Sequence, residues 1–423
     1  MVETQVTKDM LGRSELLSVA AALNLLIHTL QDITLQSETI PLDQAFDRIL
    51  EEPILSPEDL PAQARSTMDG FAVRAADTFG ASQSMPCYLN ITGEVKMGEA
   101  PLAEIKKGCC HKIPTGGLLP LGADGVVMLE HTVPVDDTMI EIVKGVGTGT
   151  HLIQKGEDIS YNQQALPAGQ ILRPQNIGLL AGLGIEQVTV FKKVRVGILS
   201  TGDEIIPHTE TPKPGQIRNI NTLALAGLVR QTGGVYTNYG IVSDQEKIFL
   251  PAVKKAVQEN DIVLFSGGSS VGVRDLGEQV IESLGPPGIL VHGVTLKPGK
   301  PILIGMCDTT PIFGLPGHPV SAMVCFDFFV KPAMEKLSGR IHSTQLPELS
   351  LSAQLTRNIN SAPGRRDVIR VQLFRGENCW RAEPIMGKSG SISTLSKAHG
   401  YFLITEESQG ITENTVIEVF LYS

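Results

Sequence analysis

Between residues 194 and 339, apolar strand-like runs alternate with helical stretches, and this alternation constrains the fold more than any other feature. Residues 262–265 form a continuous apolar run, the pattern of a strand that is buried on both faces of a sheet. Further strands are predicted at 194–199 and 235–242, each with a predicted helix after it. Strands that alternate with helices predict βαβ units, and therefore a doubly wound, largely parallel α/β sheet.

Two serines are predicted to mark helix starts. Ser14 precedes apolar residues at helical spacing near the beginning of the chain. Ser243 stands three residues before Glu246, which is the spacing of a capping box.

The regions on either side of the α/β region are predicted to be rich in β-structure. Residues 66–158 hold short apolar runs that Gly and Pro clusters separate, which is typical of a small all-β domain. After Gly339 the helical pattern stops, and residues 347–375 and 379–423 alternate apolar and polar side chains. This second pattern predicts a small β-barrel or sandwich.

Charge and cysteine usage exclude several classes of protein. The 423-residue chain has a formal net charge of −10, which disfavours binding of nucleic acid through a chain-wide basic surface. Six cysteines without a Cys-x-x-Cys pair favour a reduced, cytoplasmic protein over a disulfide framework or a zinc site. We also expect no signal peptide and no membrane-spanning helix, since neither sequence pattern is present.

Three glycine-containing turns follow predicted strands of the α/β region, and they are the strongest candidates for a ligand site. They are Ser266-Gly267-Gly268-Ser269-Ser270-Val271-Gly272, Lys297-Pro298-Gly299-Lys300-Pro301 and Gly314-Leu315-Pro316-Gly317-His318-Pro319-Val320-Ser321-Ala322. Ligands bind beyond the carboxyl ends of strands in open α/β sheets, and N–H groups of glycine-rich turns converge on anions there. Each turn alone is also explained as a tight turn or a solvated loop. The three together predict a site for a phosphorylated ligand.

Carboxylates of the same region are candidate ligands of a cation. Asp244 and Asp275 offer the hard oxygen atoms that Mg²⁺ prefers when it binds together with phosphate. Residues 200–204, Ser-Thr-Gly-Asp-Glu, end the first strand of the same sheet, where a ligand is expected. For each acid alone, helix capping or surface placement is the simpler interpretation, and both interpretations stay open.

The combined motifs resemble those of the molybdopterin molybdotransferases. In the α/β region the resemblance rests on the motifs at 200–204, 266–272, 297–301 and 314–322. Outside it, the matching motifs are Ser66-Thr67-Met68-Asp69-Gly70-Phe71-Ala72-Val73, Pro114-Thr115-Gly116, Gly156-Glu157-Asp158-Ile159 and Gly364-Arg365-Arg366-Asp367. Their order and spacing extend from about residue 14 to the C-terminus.

This resemblance implies a subunit of four parts that works as a homodimer. An elongated helical and β segment, residues 14–56 and 160–192, flanks an inserted β domain of residues 57–159. Residues 193–338 correspond to the molybdopterin-binding α/β domain, and residues 339–423 to a C-terminal β-barrel. In the family, the active cleft lies between the α/β domain of one subunit and the inserted β domain of the other.

The resemblance also implies a reaction. Members of the family take adenylylated molybdopterin and molybdate, insert the metal at the dithiolene sulfurs and release AMP, with the help of Mg²⁺. The residues that match catalytic positions are Asp244, Asp275, Lys297, Lys300, Glu204, Asp69 and Asp158, with Asp244 and Asp275 as metal ligands. The residues that match substrate-binding positions are Thr115, Ser200, Thr201, Gly202, Ser266, Gly267, Gly268, Ser269, Ser270, Gly272, Pro298, Gly299, Pro316, Gly317 and Arg366. The implied partners are a molybdopterin adenylyltransferase and the molybdoenzymes that accept the finished cofactor.

The chain departs from the family pattern at several positions. Gln154-Lys155 stand before Gly156 where many members carry arginine, and a lysine cannot replace the bidentate guanidinium. Asn219 occupies a position where aspartate is common, and His318 one where asparagine is frequent. None of these departures removes a matching acid or lysine.

Three alternative functions are weighed against this one. Molybdopterin adenylyltransferases share the α/β fold and the Ser-Gly-Gly loop, but they usually consist of that domain alone, which is less than half of this chain. Animal relatives that cluster membrane receptors carry an added domain and a long disordered linker, both absent here. A member that binds molybdopterin without turnover is the third alternative. The sequence does not decide between molybdate and tungstate.

Overall fold

The computed structural model describes residues 7–8, 15–267, 271–340 and 349–422. Ser14, Gly268, Ser269 and Ser270, which carry predictions made above, lie outside the described residues. Near the start of the chain, strands Thr7–Lys8 and Glu15–Leu16 form an antiparallel pair.

A six-stranded sheet occupies the centre of the α/β region. Its strands in spatial order are Val235–Val242, Arg195–Thr201, Ile262–Gly267, Thr310–Pro316, Leu303–Cys307 and Pro287–His292. The first four strands are mutually parallel, and the last two add an antiparallel edge. The prediction of a largely parallel sheet is confirmed.

Helices cover both faces of this sheet, as its doubly wound pattern requires. Helices Val19–Thr29, Asn221–Gln231, Pro319–Cys325 and Lys331–Leu337 lie on one face, and Glu246–Glu259 and Val271–Leu284 on the other. Successive strand residues point to opposite faces, so Leu264 joins the first core and Val263 the second. A π-helical turn, Phe326–Val330, connects the last two helices of the first face.

Two predicted helix starts are wrong. The first helix begins at Val19, and the Ser18 hydroxyl accepts a hydrogen bond from the Ala21 N–H at 3.1 Å. The residue before that cap, Leu17, is extended and pairs with the strand segment at Val294, so the helix cannot start earlier. Ser243 does not cap the next predicted helix, which begins at Glu246 after Gln245.

Asp275 does not cap the helix on which it lies. Its helix begins at Val271, directly after the glycine-rich turn, and Asp275 therefore lies in the second turn of the helix. Val271 and Gly272, which the sequence pattern placed in the glycine-rich turn, already belong to this helix.

Residues 37–56 and 160–191 form narrow antiparallel ribbons. Strand Ser37–Pro41 pairs with Gln187–Phe191, and Ile54–Leu55 pairs with Gln164–Leu166. Helix Pro174–Gly182, with proline at its first turn, packs against them through Leu180.

Residues 65–153 form the β-rich part that the sequence predicted. Six strands make its main sheet, in the order Thr132–Asp136, Met139–Ile142, Cys87–Glu94, Cys109–Ile113, Gly70–Val73 and Gly125–Met128. A separate pair, Arg65–Ser66 with Leu152–Ile153, lies beside it.

The C-terminal residues form a closed five-stranded barrel. Its strands in order are Arg366–Arg375, Trp380–Pro384, Ser350–Leu355, Val416–Leu421 and Gly400–Ile404, and the last pairs with the first. Closure leaves no open sheet edge around the ring and confirms the predicted barrel. The short strand Leu296–Lys297 of the α/β region pairs with the barrel strand at Arg366 and Asp367.

None of the helices in the described ranges combines the length and the apolar character that a membrane crossing needs.

Candidate functional site

Two of the three predicted turns, at 266–267 and 316–317, lie side by side with the end of strand Arg195–Thr201 at one edge of the α/β sheet. The third, the lysine turn at 297–301, follows the short strand Leu296–Lys297, which pairs with the barrel. Thr201 is paired with Gly267, and Gly267 is paired with Pro316, at the carboxyl ends of three adjacent parallel strands. The chain therefore brings residues 200–204, 266–267 and 316–317 together, although more than a hundred residues separate the first from the last.

Close packing explains why glycine stands at position 267. A Cβ atom there would overlap the side chain and the carbonyl oxygen of Thr201. The hydroxyl groups of Thr201 and Ser266 are buried at this edge, and neither has a hydrogen-bond partner among the described residues. Two buried hydroxyls without a partner are rare in folded proteins, and they supply donors for a ligand that approaches the strand ends.

Ser200 has a structural role next to these two residues. Its hydroxyl lies 2.8 Å from Thr222 Oγ1 and donates to Asn219 Oδ1 at 3.2 Å. Asn219 Oδ1 also accepts from the Thr222 N–H at 3.2 Å, so it caps the helix that starts at Asn221. The departure at Asn219 therefore preserves a working helix cap.

A large cavity lies beside this edge, between the α/β sheet and the C-terminal barrel. Its volume is about 1020 Å³, which is sufficient for a ligand of nucleotide size. Lys297, Pro298, Gly299 and Lys300 form one wall with Pro316. The opposite wall contains Arg365, Arg370, Lys388 and Ser389, which come from the barrel region. Lys297 and Lys300 thus face a common space, as the Pro-Gly turn between them predicted.

A buried carboxylate organises the cations of this cavity. Asp367 is only 2% exposed, and its Oδ1 accepts from Arg365 Nε at 2.9 Å. Its Oδ2 lies 3.7 Å from Lys297 Nζ and 3.4 Å from Arg365 Nη2. Because Lys297 is on the α/β side and Arg365 on the barrel side, one carboxylate fixes cations on both walls.

Arg370 supplies a further cation that is nearly enclosed by protein. It is 7% exposed, its Nε has no hydrogen-bond partner among the described residues, and burial lowers the pKa of its guanidinium. Thr295, also on the cavity wall, has a buried Oγ1 without such a partner. Unsatisfied donors in a cavity with a cationic lining indicate an anionic ligand.

The sequence predicted Arg366 as a substrate-binding residue, but in the structure Arg365 and Arg370 line the cavity. The Arg366 guanidinium bonds to Glu406 Oε2 at 3.3 Å and does not contribute to the cavity wall. Arg365 and Arg370 were not selected, because nothing in the sequence shows which of the clustered arginines lines a cavity together with the lysine turn. Both arginines lie far from the lysine turn in the sequence. Their position opposite that turn follows from the pairing of residues 296–297 with the barrel.

A cluster of three acids follows two neighbouring strands of the sheet: Asp203 and Glu204 come after Arg195–Thr201, and Asp244 comes after Val235–Val242. Burial raises the pKa of Asp244, and the nearby carboxylates of Asp203 and Glu204 raise it further. Asp203 also accepts a hydrogen bond from the Ser243 hydroxyl at 3.4 Å. Gly202, with φ of 143°, bends the chain so that Glu204 folds back against it. Negative charges that oppose each other in this way favour a bound cation.

Asp275 is exposed on its helix, and no hydrogen bond among the described residues joins it to Asp203, Glu204 or Asp244. Within the ranges that the structure describes, no three His, Cys, Asp or Glu side chains form a ready-made metal cage. Mg²⁺ often uses only one or two carboxylates together with phosphate oxygens of its substrate. The donor set at Asp244 fits that type of site.

The residues that were predicted on the inserted β domain lie apart from this cavity within one subunit. Asp69 Oδ1 accepts from the Thr115 N–H at 2.8 Å, so these two residues form one unit. Asp158 is exposed at the end of the same region, next to Lys155, which pairs with Asp59 at 3.2 Å. None of Asp69, Thr115 and Asp158 lines the cavity that holds Lys297.

All six cysteines are free thiols, in agreement with the absence of a disulfide framework. Cys325 is fully buried beside the lysine turn, where its thiol donates to the Gly299 carbonyl oxygen at 3.4 Å. His318 is exposed and precedes the helix Pro319–Cys325, beside the cavity.

Three successive parts of the chain match known protein families. Residues 17–184 match the MoeA N-terminal region (domain I and II), residues 197–336 a probable molybdopterin binding domain, and residues 352–422 the MoeA C-terminal region (domain IV).

Similar proteins cover most of the chain. A molybdopterin molybdenumtransferase of Haemophilus influenzae is 32% identical over 389 residues, which are 91% of this chain and 94% of that protein. One from Nostoc sp. is 35% identical over 327 residues, which are 76% of this chain and 74% of that protein. The crystal structure of a molybdopterin biosynthesis MoeA protein from Pyrococcus horikoshii has a TM-score of 0.83 and 33% identity, and covers 96% of this chain and 100% of its own.

The three matched regions occur in the order of the MoeA proteins, and the identity to named relatives extends across the same regions. On the geometry of its α/β sheet, its barrel and the cavity between them, and on these similarities, the chain belongs to the MoeA family of molybdopterin molybdenumtransferases.

Proposed function

We propose that this protein inserts molybdate into adenylylated molybdopterin and releases AMP, which yields molybdenum cofactor. One observation carries the proposal: a cavity of about 1020 Å³ presents cations from two domains next to buried donors that lack partners. Every reactant of this transfer is anionic. A site that neutralises several negative charges in one place therefore suits it.

The cationic walls bind and orient the anions. Lys297 and Lys300 act as point charges on a turn that Pro298 and Gly299 shape, and the planar forks of Arg365 and Arg370 suit two oxygen atoms at once. Asp367 positions Lys297 and Arg365 by holding both. Ser266 and Thr201 supply buried hydroxyl groups without a partner among the described residues at the strand ends, and these hydroxyls are available to a ligand there.

We place Mg²⁺ at Asp244, with Asp275 as the second predicted ligand. When bound, the cation polarises phosphate oxygens and stabilises the charge that develops as the phosphate linkage breaks. Asp244 is a suitable anchor because the carboxylates of Asp203 and Glu204 already raise its pKa. Glu204 follows the neighbouring strand Arg195–Thr201 and completes the negative side of the site.

A homodimer accounts for the residues that lie away from the cavity. Asp69, Thr115 and Asp158 do not meet Lys297 within one subunit, so we propose that they reach the cavity of a second subunit. The proposed division of the chain is residues 14–56 with 160–192, 57–159, 193–338 and 339–423. The protein is proposed to act in the cytoplasm, between a molybdopterin adenylyltransferase and the molybdoenzymes that accept the cofactor.

The direct test incubates the purified protein with adenylylated molybdopterin, molybdate and Mg²⁺. We expect stoichiometric AMP, measured by chromatography, and activation of a molybdoenzyme that lacks its cofactor. Lys300→Ala should lose AMP release, whereas Lys107→Ala, on an exposed loop of the inserted region, should retain it.

Two other outcomes would overturn the proposal. Binding of adenylylated molybdopterin without any AMP would identify a non-catalytic binding protein. Release of pyrophosphate from ATP and molybdopterin would identify an adenylyltransferase.

A further inference from the structure

A second cavity, which we call the junction cavity, lies where the ribbon segment meets the α/β region. Its volume is about 470 Å³. Residues 47–49, 171–173 and 191–194 form one side, and residues 228–234 and 326–340 form the other. It shares no lining residue with the cavity at Lys297, so it is a separate site.

The charge of the junction cavity is opposite to that of the protein. Seven Lys and Arg side chains line it against three carboxylates, a formal excess of four positive charges. The chain as a whole has a net charge of −10. A concave surface that concentrates one sign of charge focuses the electrostatic field and attracts ions of the other sign.

Two of these arginines are held by the protein from opposite walls. The Arg48 side chain is 10% exposed and donates through Nη2 to Glu38 Oε1 at 2.5 Å and to the Phe191 carbonyl oxygen at 2.8 Å. Arg340 donates from Nη1 to Glu335 Oε1 at 2.5 Å. These contacts hold both guanidinium groups in place and limit the entropy that a ligand must overcome.

Arg340 retains one donor that no described residue accepts. Its Nε is buried and has no hydrogen-bond partner among the described residues. A buried donor of a charged group without an acceptor is costly, and an oxygen atom in the cavity would satisfy it. Arg340 lines the junction cavity, so a ligand bound there is a candidate source of that oxygen.

We propose that the junction cavity binds a small multivalent oxyanion of the phosphate class, such as pyrophosphate or the polyphosphate group of a nucleotide. Guanidinium groups match phosphate oxygens in pairs, and Arg173 and Arg230 add two more beside Arg48 and Arg340. An excess of four positive charges suits a ligand with three or four negative charges better than a single carboxylate. This inference does not depend on the proposed transfer reaction.

Binding here has a structural consequence. Arg173 belongs to the ribbon segment, Arg230 and Arg340 belong to the α/β region, and Lys193 lies in the chain between them. Arg230 stands over the Tyr236 ring at 5.1 Å from its centroid, which orients it on the α/β side. An anion that contacts both sides would tie the two parts together and stabilise the folded protein.

The test is calorimetric titration of the full chain with pyrophosphate at low ionic strength. The cavity at Lys297 is also cationic, so the wild type should show two classes of site. Arg173→Gln with Lys193→Gln should weaken one class at least tenfold, and Lys297→Gln with Lys300→Gln should weaken the other. The Arg173 and Lys193 side chains take part in no ion pair of the described residues, so this variant should fold normally, as thermal unfolding would check.

Two results of these titrations would overturn the proposal, and one combination would support it. A junction variant that binds pyrophosphate as the wild type does, in both classes, overturns the proposal. So does a wild type whose binding disappears entirely in the Lys297/Lys300 variant. Support requires that the junction variant lose one class and the pyrophosphate-dependent rise in Tm that belongs to it, while its affinity for pyrophosphate in the class assigned to Lys297 and Lys300 stays within twofold of wild type. A nucleoside triphosphate and tripolyphosphate, titrated in parallel, distinguish a nucleotide from a free polyphosphate as ligand.

Discussion

The carboxylate of Asp367 lies 3.7 Å from the ammonium group of Lys297, and it joins two domains at the candidate site. Lys297 is 57% exposed in its side chain, whereas Asp367 is 2% exposed, so the buried acid restrains a lysine that would otherwise sample many rotamers. The same acid holds Arg365 at 2.9 Å. A negative charge therefore organises a site for anions, even though it opposes their binding.

Asp367→Asn should raise KM for adenylylated molybdopterin about tenfold, because the amide keeps its shape but no longer attracts Lys297. We expect a smaller change in kcat and a loss of stability of about 1–2 kcal/mol from the weakened bonds to Arg365. Steady-state AMP release and urea unfolding provide the two measurements. Glu406→Gln, which breaks the Arg366 ion pair outside the cavity, is the matched control. An unchanged or lower KM in Asp367→Asn would show that the acid only neutralises its neighbours.

Asp244→Asn should stabilise the protein near neutral pH while it abolishes activity. Burial and the acids Asp203 and Glu204 raise the pKa of Asp244 above its unfolded value. A carboxyl group with a raised pKa contributes stability below its unfolded pKa, and that contribution is lost as the pH rises through the folded pKa. The variant should gain on the order of 0.5 kcal/mol at pH 7 in low salt and nothing under strongly acidic conditions.

Mg²⁺ should reduce the difference in stability between Asp244→Asn and the wild type, because it neutralises the clustered acids only in the wild type. A Mg²⁺ concentration ten times the dissociation constant would stabilise the wild type by about 1.4 kcal/mol. Thermal unfolding of both proteins across pH, with and without Mg²⁺, is the measurement. Equal responses of wild type and variant to Mg²⁺ would place the cation elsewhere.

Gly267→Ala should destabilise the protein by about 1–3 kcal/mol, because the new methyl group collides with the Thr201 backbone on the neighbouring strand. Gly227→Ala is the matched control: this exposed glycine lies within the helix Asn221–Gln231, with nothing within 4 Å of a new Cβ. The control should gain about 0.5–1 kcal/mol, since alanine favours the helix. Urea unfolding compares the two, and equal destabilisation would contradict the packing argument.

Mixing two inactive variants tests whether the site is shared between subunits. Asp69→Asn damages only the part on the inserted domain, and Lys300→Ala damages only the part on the α/β domain. After the subunits are exchanged at equal amounts, half of the dimers hold one intact site, so about a quarter of wild-type AMP release should return. Sites built within one subunit would yield no recovery. Analytical ultracentrifugation establishes the oligomeric state in the same samples.

The local pattern of the sequence was sufficient to predict the α/β sheet, since apolar runs such as residues 262–265 are a property of neighbouring residues. The closed barrel also followed from alternation. Helix starts were less predictable, because contacts with distant residues decide them. Leu17 forms a β-bridge with Val294, and the Ser243 hydroxyl bonds to Asp203 and does not cap the helix that follows it.

The candidate site was predicted on its α/β side and missed on its barrel side. Lys297, Lys300 and Pro316 stand next to turn signals that the sequence displays. Arg365 stands in the Gly364–Asp367 motif, but the motif did not single it out from Arg366, and Arg370 has no such signal; the position of both in the cavity depends on how the barrel docks. Contacts between remote segments are decided by tertiary packing, which no local pattern encodes.

The strand pairing of Leu296–Lys297 with Arg366 and Asp367 has a consequence for synthesis of the protein in the cell. The lysine turn leaves the ribosome before its partner does, and the barrel around that partner closes only when Val416–Leu421 is present. At roughly 5–20 residues per second, the site stays incomplete for several seconds after the α/β sheet has been made. A nascent or truncated chain therefore has the carboxyl-end edge of the sheet but not the cavity enclosed by the barrel, and the candidate site is completed only at the end of translation.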